Sequence, residues 1–361
     1  IVSIAVLNGF ESKVTEKIIG IEGEVRIKGE NFPKKSLDDL QKLEGVKQFM
    51  PFYSRKGVVI NRENETAVVR VKAVEMDSLS HFYSLGTVTK FDDKQNKIPN
   101  RVFIGKTLSD KLQLNLGDEI RFTNPQSMRL PIGFPLQVKG TVGGIFSSQV
   151  LDYDERLVFL PLKMGRNLFS TLTQFNGIDL RIDKNNSLNV KKNEIISVIG
   201  NFGSVETWKE HHSALVQAMN LEKKGGIIVL GLIIVVACFN LISNLVLIIR
   251  QKWRELGILK VMGYSRKNIR SIVVIQGLIL GCVGCIAGSL TGGLLVWLQS
   301  NWSLLPLPED IYFMEALPMK LPFSEFLLVP FGALVLVMAA SYLASRRAVM
   351  ITPMNSIQLE K

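Results

Sequence analysis

Residues 225–249 read GGIIVLGLIIVVACFNLISNLVLII, an apolar run without a charged side chain. An α-helix rises about 1.5 Å per residue, so roughly 20 apolar residues cross the hydrocarbon core of a bilayer, which is about 30 Å thick. The run therefore predicts a membrane-spanning helix. The next segment, residues 250–270, holds seven Lys or Arg side chains against one acid, Glu255. By the positive-inside rule this segment is expected to face the cytoplasm.

Residues 250–270 also show the pattern of a short amphipathic helix. Leu256, Leu259 and Met262 lie at i, i+3 and i+6, and Gly263 is placed to end the helix. Two interpretations stay open: a helix lying among lipid headgroups, or a lever that docks into a cytoplasmic partner. The candidate contact residues of the second interpretation are Arg254, Glu255, Leu256, Leu259, Met262 and Gly263.

The composition of the whole chain lies between that of a soluble enzyme and that of a transporter with many spans. Its 361 residues are 47% hydrophobic and 21% charged, and the net charge is +11. The basic residues cluster beside apolar runs, so membrane topology explains them better than nucleic-acid binding does. The histidines, His81, His211 and His212, show no metal-ligand spacing, and we expect neither a catalytic site nor a cofactor bound by this chain.

The first residues, IVSIAVL, are apolar and are followed by polar NGFE. Because so short a run cannot cross a bilayer, residues 1–11 are interpreted as the end of a spanning helix whose beginning is missing. A buried strand is the alternative. Residues 207–224 contain no proline and no glycine, which favours one continuous helix leading into the central span over a solvated linker.

Residues 12–206 contain no apolar run long enough to span a membrane. Short β-rich runs alternate there with helical patterns, which predicts a large extracytoplasmic α+β domain in two lobes. Helices are expected at residues 36–43, with Ser36 as the N-cap, and at residues 107–114. Strands are expected at residues 24–27, 58–60, 67–74, 102–104, 119–122 and 136–142.

The segment between the last two predicted strands, residues 123–135, reads TNPQSMRLPIGFP. Proline removes a backbone donor and blunts strand edges, so the segment predicts a protruding hairpin tip, with a plain loop as the alternative. In an extended tip the apolar side chains would lie along one side, because successive residues point to opposite sides. These side chains are Met128, Leu130, Ile132 and Phe134.

Two further apolar runs, residues 271–298 and 323–345, predict two more spans. The acidic bias of residues 299–322 places that loop outside, and Arg346 and Arg347 return the tail, residues 346–361, to the cytoplasm. With the truncated first helix, the fold class is an α-helical membrane protein with four transmembrane helices and both termini cytoplasmic.

Small and polar residues inside the spans predict close helix packing. Cys282 and Cys285 are interpreted as small packing residues rather than a redox pair, and Asn240 and Asn244 as an interhelical hydrogen-bonded seam rather than a substrate site. The glycines expected at helix contacts are Gly277, Gly281, Gly284, Gly288 and Gly292.

Several segments together resemble the LolC and LolE type of lipoprotein-releasing permease, within the FtsX- and MacB-like superfamily. These are VFIGKTLSDKLQLNLGDEI at residues 102–120, GIFSSQVLDYDERLVFLPL at 144–162, ACFNLISNLV at 237–246 and LPEDIYFMEALP at 307–318. The resemblance implies a multi-pass inner-membrane subunit of an ATP-driven ABC transporter. That transporter would extract acylated lipoproteins and pass them to a periplasmic carrier in a Gram-negative bacterium.

The resemblance also implies the partners. They are a cytoplasmic ATPase dimer, a second permease copy or a paralogue, the acylated lipoprotein and the carrier. Since the chain has no GxxxxGK[ST] phosphate loop, ATP and Mg would be bound by the partner and the chain itself is not expected to be an enzyme. The hairpin tip would dock the carrier through Met128, Arg129, Leu130, Pro131, Ile132 and Phe134.

Two alternative functions share this topology. One is an FtsX-like regulator that transmits movement to a cell-wall hydrolase, and the other is a MacB-like efflux permease.

Overall fold

The computed structural model describes residues 1–90, 100–124, 137–169, 175–183, 187–307 and 316–349. The chain divides into two compact units. Within the described residues, the membrane unit consists of residues 1–12, 217–307 and 316–349, and the α+β unit lies within Lys13–Val216.

A ten-stranded sheet forms the centre of the α+β unit. Its strands are β1 (Val25–Lys28), β2 (Val46–Ile60), β3 (Thr66–Val74), β4 (Thr87–Lys90), β5 (Arg101–Gly105), β6 (Glu119–Thr123), β7 (Gln137–Ser147), β8 (Leu157–Pro161), β9 (Gly177–Ile182) and β10 (Ser204–Thr207). They lie in the order β10-β1-β9-β2-β3-β8-β5-β7-β4, while β6 pairs with β2 and β7. Most pairs are antiparallel, and only the β3–β8 and β5–β7 pairs among the described residues are parallel.

Strand β2 belongs to both halves of this sheet. Its first half, from Val46 to Phe52, pairs with β9, and its second half, from Tyr53 to Ile60, pairs with β3. One hydrophobic cluster lies around Ile27, Leu180 and Ile195, and a second lies around side chains of β3, β5 and β8. A third cluster joins the two halves, because Phe52 of the first half of β2 packs there with Val74 of β3 and Phe159 of β8.

Short helices cover the sheet, and one long helix leads into it. They are α1 (Val2–Glu22), α2 (Lys34–Lys42), α3 (Leu79–Phe82), α4 (Lys106–Lys111), α5 (Leu151–Arg156), α6 (Leu162–Phe169), α7 (Leu188–Ile199) and α8 (Trp208–His211). The start of the chain is therefore helical, and the alternative of a buried strand there is wrong.

The expected strands form, although β2 and β7 are longer than the sequence pattern indicated. Ser36 is not the N-cap of α2, because the helix begins at Lys34 and the cap position is Pro33. The helix predicted at residues 107–114 ends early because Gln113 takes a φ of 50°, outside the helical region.

Four helices complete the description: α9 (Ser213–Gln251), α10 (Trp253–Val261), α11 (Arg266–Trp302) and α12 (Phe323–Val349). Three of them, α9, α11 and α12, are long and apolar enough to cross a membrane. The fourth predicted span corresponds to the start of α1, which is helical but is not among these candidates. A single continuous helix from residue 207 is also wrong, because His212 has φ −105° and ψ 39° and separates α8 from α9.

Within the membrane unit, α11 packs against α12 through two glycines. A Cβ atom added at Gly277 would overlap Ser341, and one added at Gly281 would overlap Val337. At these two positions the helices approach closely, and this approach depends on the absence of a side chain on each glycine.

Candidate functional site

The membrane unit contains a cavity of about 830 Å³ that four helices, α1, α9, α11 and α12, line together. Its volume lies within the roughly 300–1,000 Å³ typical of ligand pockets. Most of the lining is apolar, and it includes Ile4, Leu7, Ile227, Leu230, Leu295 and Leu328. A wall of this kind keeps a hydrocarbon chain out of water, where its exposed apolar surface would cost about 25 cal/mol per Å².

The polar lining of this cavity includes three linked side chains, Asn8, Lys223 and Glu325. Lys223 Nζ donates to Asn8 Oδ1 over 2.9 Å, and the Asn8 amide nitrogen donates to the Glu325 carboxylate. Asn8 is only 8% exposed, so its amide is held in place by both neighbours. Glu325 lies in the first turn of α12, where the helix dipole stabilises a negative charge.

The segment after α9 forms a short helix that packs on the membrane unit's own chain. Leu256 of α10 is buried against Ile249, Ile269 and Val273, and Leu259 packs at the edge of the same cluster. Two of the six residues predicted to contact a partner, Leu256 and Leu259, therefore pack within the chain.

Another set of side chains, in α10 and directly after it, is exposed instead. Ile258, Val261, Met262 and Tyr264 are between 45% and 73% exposed, and we call this set the α10 surface. Arg254 and Glu255 are exposed as well, and Gly263 ends the turn with a φ of 93°. The predicted stripe of Leu256, Leu259 and Met262 is wrong as a single face, because Met262 leaves the helix as its C-cap and points outward.

The remaining glycines and asparagines predicted to pack between helices differ in what surrounds them. Gly292 approaches Ile1, whereas a Cβ at Gly284 or Gly288 would meet no atom within 4 Å. Asn240 and Asn244 are exposed. Among the described residues neither asparagine side chain bonds another helix, so the predicted seam does not form within this chain.

The predicted carrier-docking residues, Met128, Arg129, Leu130, Pro131, Ile132 and Phe134, lie outside the described residues. The strands on either side of them are described. β6 and β7 pair antiparallel, with Thr123 opposite Gln137. This confirms that the proline-rich segment connects two neighbouring strands of a hairpin.

A buried ionic network in the α+β unit was not predicted from the sequence. Asp179 is fully buried and accepts hydrogen bonds from Arg26 over 2.7 Å, from Lys72 over 2.6 Å and from Tyr83 over 3.1 Å. Burial, partly offset by Asp179, lowers the pKa of Lys72 to about 8. In the sequence, the only indication of this network is that charged residues alternate with apolar ones in β1, β3 and β9. The strand order of the sheet is needed to show that these charged side chains lie together.

Two histidines extend this network at the end of α1. His212 Nε2 lies 2.7 Å from the carboxylate of Glu22, and His211 Nδ1 lies 3.1 Å from Glu206. Burial would raise the pKa of Glu22, but the His212 hydrogen bond and the charge of Arg26 hold it well below its usual value. Burial and the charge of Arg26 lower the pKa of His211.

Glu22, His211 and His212 place one ligand atom each within 4.8 Å of one another, a grouping that the sequence spacing did not indicate. However, an Arg26 guanidinium nitrogen lies 3.1 Å from His211 Nε2 and 3.3 Å from Glu22. A cation would have to sit beside that positive charge, so the geometry fits an ion-pair network better than a metal centre.

The fold and the cavity define a membrane permease subunit with an inserted α+β domain. Residues 1–198 match the MacB-like periplasmic core domain and residues 227–353 match the FtsX-like permease C-terminal domain. The chain belongs to this family of FtsX-like permeases with a MacB-like periplasmic core, which confirms the family resemblance seen in the sequence.

Curated relatives match along the whole chain. The lipoprotein-releasing system transmembrane protein LolC of Xylella fastidiosa is 22% identical over all of this chain and 90% of its own length. LolE of Haemophilus influenzae is 26% identical over 96% of this chain and 88% of its own length. Among solved structures, the periplasmic region of MacB from Actinobacillus actinomycetemcomitans aligns with 56% of this chain and 97% of its own, at 13% identity and a TM-score of 0.38.

Proposed function

We propose that this chain is the permease subunit of an ATP-driven transporter that extracts acylated lipoproteins from the bacterial inner membrane and passes them to a periplasmic carrier. The observation that carries the proposal is the apolar cavity among α1, α9, α11 and α12. Its lining suits an acyl chain. The full-length similarity to proteins named as lipoprotein-releasing supports the same cargo.

Lipoprotein extraction requires work from outside the chain. Each acyl CH₂ withdrawn from lipid costs about 0.8 kcal/mol, so an anchor with two or three chains cannot leave spontaneously. A cytoplasmic ATPase dimer that binds ATP and Mg supplies this work, and it contacts the permease at the α10 surface. The exposed apolar side chains Ile258, Val261 and Met262 fit an apolar groove of such a partner.

The hairpin tip between β6 and β7 is the element proposed to recruit the carrier. Its apolar side chains, from Met128 to Phe134, would enter a groove of the carrier, and its prolines reduce the entropy lost on binding. The second permease of the complex is either another copy of this chain or a paralogue.

Cargo can be tested by filling the cavity. In membranes that contain the permease with its ATPase, ATP-dependent release of an acylated lipoprotein to soluble carrier is measured for Ala333→Phe, which places a ring in the cavity. Ala339→Phe is the matched control, because Ala339 is exposed on α12 and is not part of the lining. Loss of release in the first variant alone is expected.

Normal release by Ala333→Phe would contradict the proposal. If instead the parent releases no lipoprotein but activates a cell-wall hydrolase or exports a small molecule with ATP, the FtsX-like or MacB-like alternative holds.

A further inference from the structure

Two charged side chains line the cavity of the membrane unit, Lys223 and Glu325, and they have different partners. Lys223 is held by Glu11, whose carboxylate lies 3.3 Å from Nζ, and by the carbonyl oxygen of Asn8. Glu325, in contrast, receives its hydrogen bond from the neutral Asn8 amide. Within the described part of the chain, no Lys, Arg or His side chain forms a salt bridge with Glu325.

These four side chains, Glu11, Lys223, Asn8 and Glu325, together carry two negative charges and one positive charge. Asn8 separates the ammonium group of Lys223 from the carboxylate of Glu325, since it accepts from one and donates to the other. A carboxylate has several acceptor positions, so Glu325 retains capacity for a second donor. The cavity therefore offers one anionic acceptor beside a long apolar wall.

We propose that Glu325 binds the ammonium headgroup of an acylated ligand whose hydrocarbon occupies the apolar part of the cavity. The apolar wall selects the chain, and the carboxylate selects a cationic amine over a neutral or anionic headgroup. The inference rests on the proposed function only for the identity of the ligand. The amine is either the free α-amino group of a lipoprotein anchor or the ethanolamine of a membrane lipid.

The test uses two lipopeptides with the same diacylglyceryl-cysteine anchor and peptide. One keeps its α-amino group, which has a pKa near 7.7–8 and is mostly charged at pH 7, and the other is acetylated there. The permease is purified in detergent with its ATPase subunits, and the dissociation constant of each lipopeptide is measured by fluorescence anisotropy. A second arm compares phosphatidylethanolamine with its N-acetylated form by native mass spectrometry.

The parent is expected to bind the free amine about tenfold more tightly than the acetylated form, the gain of one charge-assisted hydrogen bond. Glu325→Gln should remove this preference and leave the affinity for the acetylated form unchanged. The Gln carbonyl still accepts from Asn8, so the helix contact is retained. Glu16→Gln, which changes an exposed carboxylate of α1 outside the cavity, should keep the preference.

The two arms separate the possible failures. A preference confined to the lipid arm and lost in Glu325→Gln supports the ammonium site with a membrane lipid as its source. If the parent binds neither of the two lipopeptides, the proposed lipoprotein cargo is refuted. The result of the lipid arm still stands in that case. Equal binding of amine and acetylated forms in both arms, or a preference that survives Glu325→Gln, overturns the inference.

Discussion

Glu22, the last residue of α1, and His212, the residue directly before α9, are joined by a hydrogen bond of 2.7 Å. Both helices lead along the chain into the membrane unit. The contact lies inside the α+β unit, where Glu22 is 5% exposed. The hydrogen bond therefore joins the segment by which the chain enters the α+β unit to the segment by which it leaves.

The network around Glu22 predicts acid sensitivity. The pKa of His211 is lowered in the folded state, so the unfolded chain binds more protons below about pH 6.5, and the unfolding free energy falls as the pH drops through that range. The pKa of Glu22 is lowered as well, and its contribution is lost below about pH 4.3.

Thermal unfolding of the full chain in detergent, at pH 7.5 and pH 5.5, measures the histidine part. His211→Gln should reduce the difference between the two midpoints, while His81→Gln, at an exposed position, should not. An unchanged difference in His211→Gln would show that this side chain is not the sensor.

Removal of the central carboxylate should strongly destabilise the α+β unit. Asp179→Ala removes the carboxylate that pairs with buried Lys72 and leaves Arg26 with Glu22 alone, and breaking one side of a buried ion pair costs about 3–5 kcal/mol. Asp152→Ala, in the exposed pair with Arg156, should cost about 1 kcal/mol or less. Urea midpoints followed by fluorescence of the buried Trp208 compare the two variants, and equal midpoints would refute the ranking.

The α10 surface should control the coupling between lipoprotein binding and ATP hydrolysis, but it should not contribute to the stability of the fold. Val261→Asp with Met262→Asp changes two exposed side chains, so permease abundance should remain normal while lipoprotein-stimulated ATP hydrolysis is lost. Leu256→Ala should instead lower stability by about 2–5 kcal/mol, because it opens a cavity in a packed cluster. Normal ATPase stimulation in the double Asp variant would exclude this surface as the contact.

Gly281 and Gly284 of α11 should respond differently to substitution by leucine, and the second substitution tests assembly with a partner. Gly281→Leu forces a side chain into Val337 and should lower the yield of folded chain. Gly284→Leu meets open space within the chain, so the chain should fold normally. Loss of the complex in Gly284→Leu, measured by co-purification of the second permease, would show that a partner covers that face; retention would show that none does.

The hairpin tip provides a test of carrier recruitment. Ile132→Asp with Phe134→Asp replaces two apolar side chains by charges and should abolish carrier capture while basal ATP hydrolysis continues. Photo-cross-linking from position 132 should give a carrier adduct in the parent. The absence of an adduct, beside a positive-control position that gives one, would contradict docking at the tip.

Local patterns in the sequence predicted six of the ten described strands and the three long apolar helices, but not β4, β8, β9 and β10 and not the long-range contacts. Apolar length was enough to place α9, α11 and α12, because a bilayer imposes one length on every span. Helical periodicity alone misplaced Leu256, since its neighbours Ile269 and Val273 come from the next helix. Asp179 and Lys72 are 107 residues apart, and only the strand order of the sheet brings them together.

Strand β2 also limits how this chain can change in length. Its backbone is paired with β9 over one part and with β3 and β6 over the other. Deleting or inserting one residue near Phe52 would move every following side chain to the opposite face, since successive residues of a strand alternate. The pairing with β9 and the pairing with β3 would then require different registers. An added residue is therefore expected to be tolerated in the connections between strands, or at the existing register shift between Val46 and Gln48, but not at Phe52.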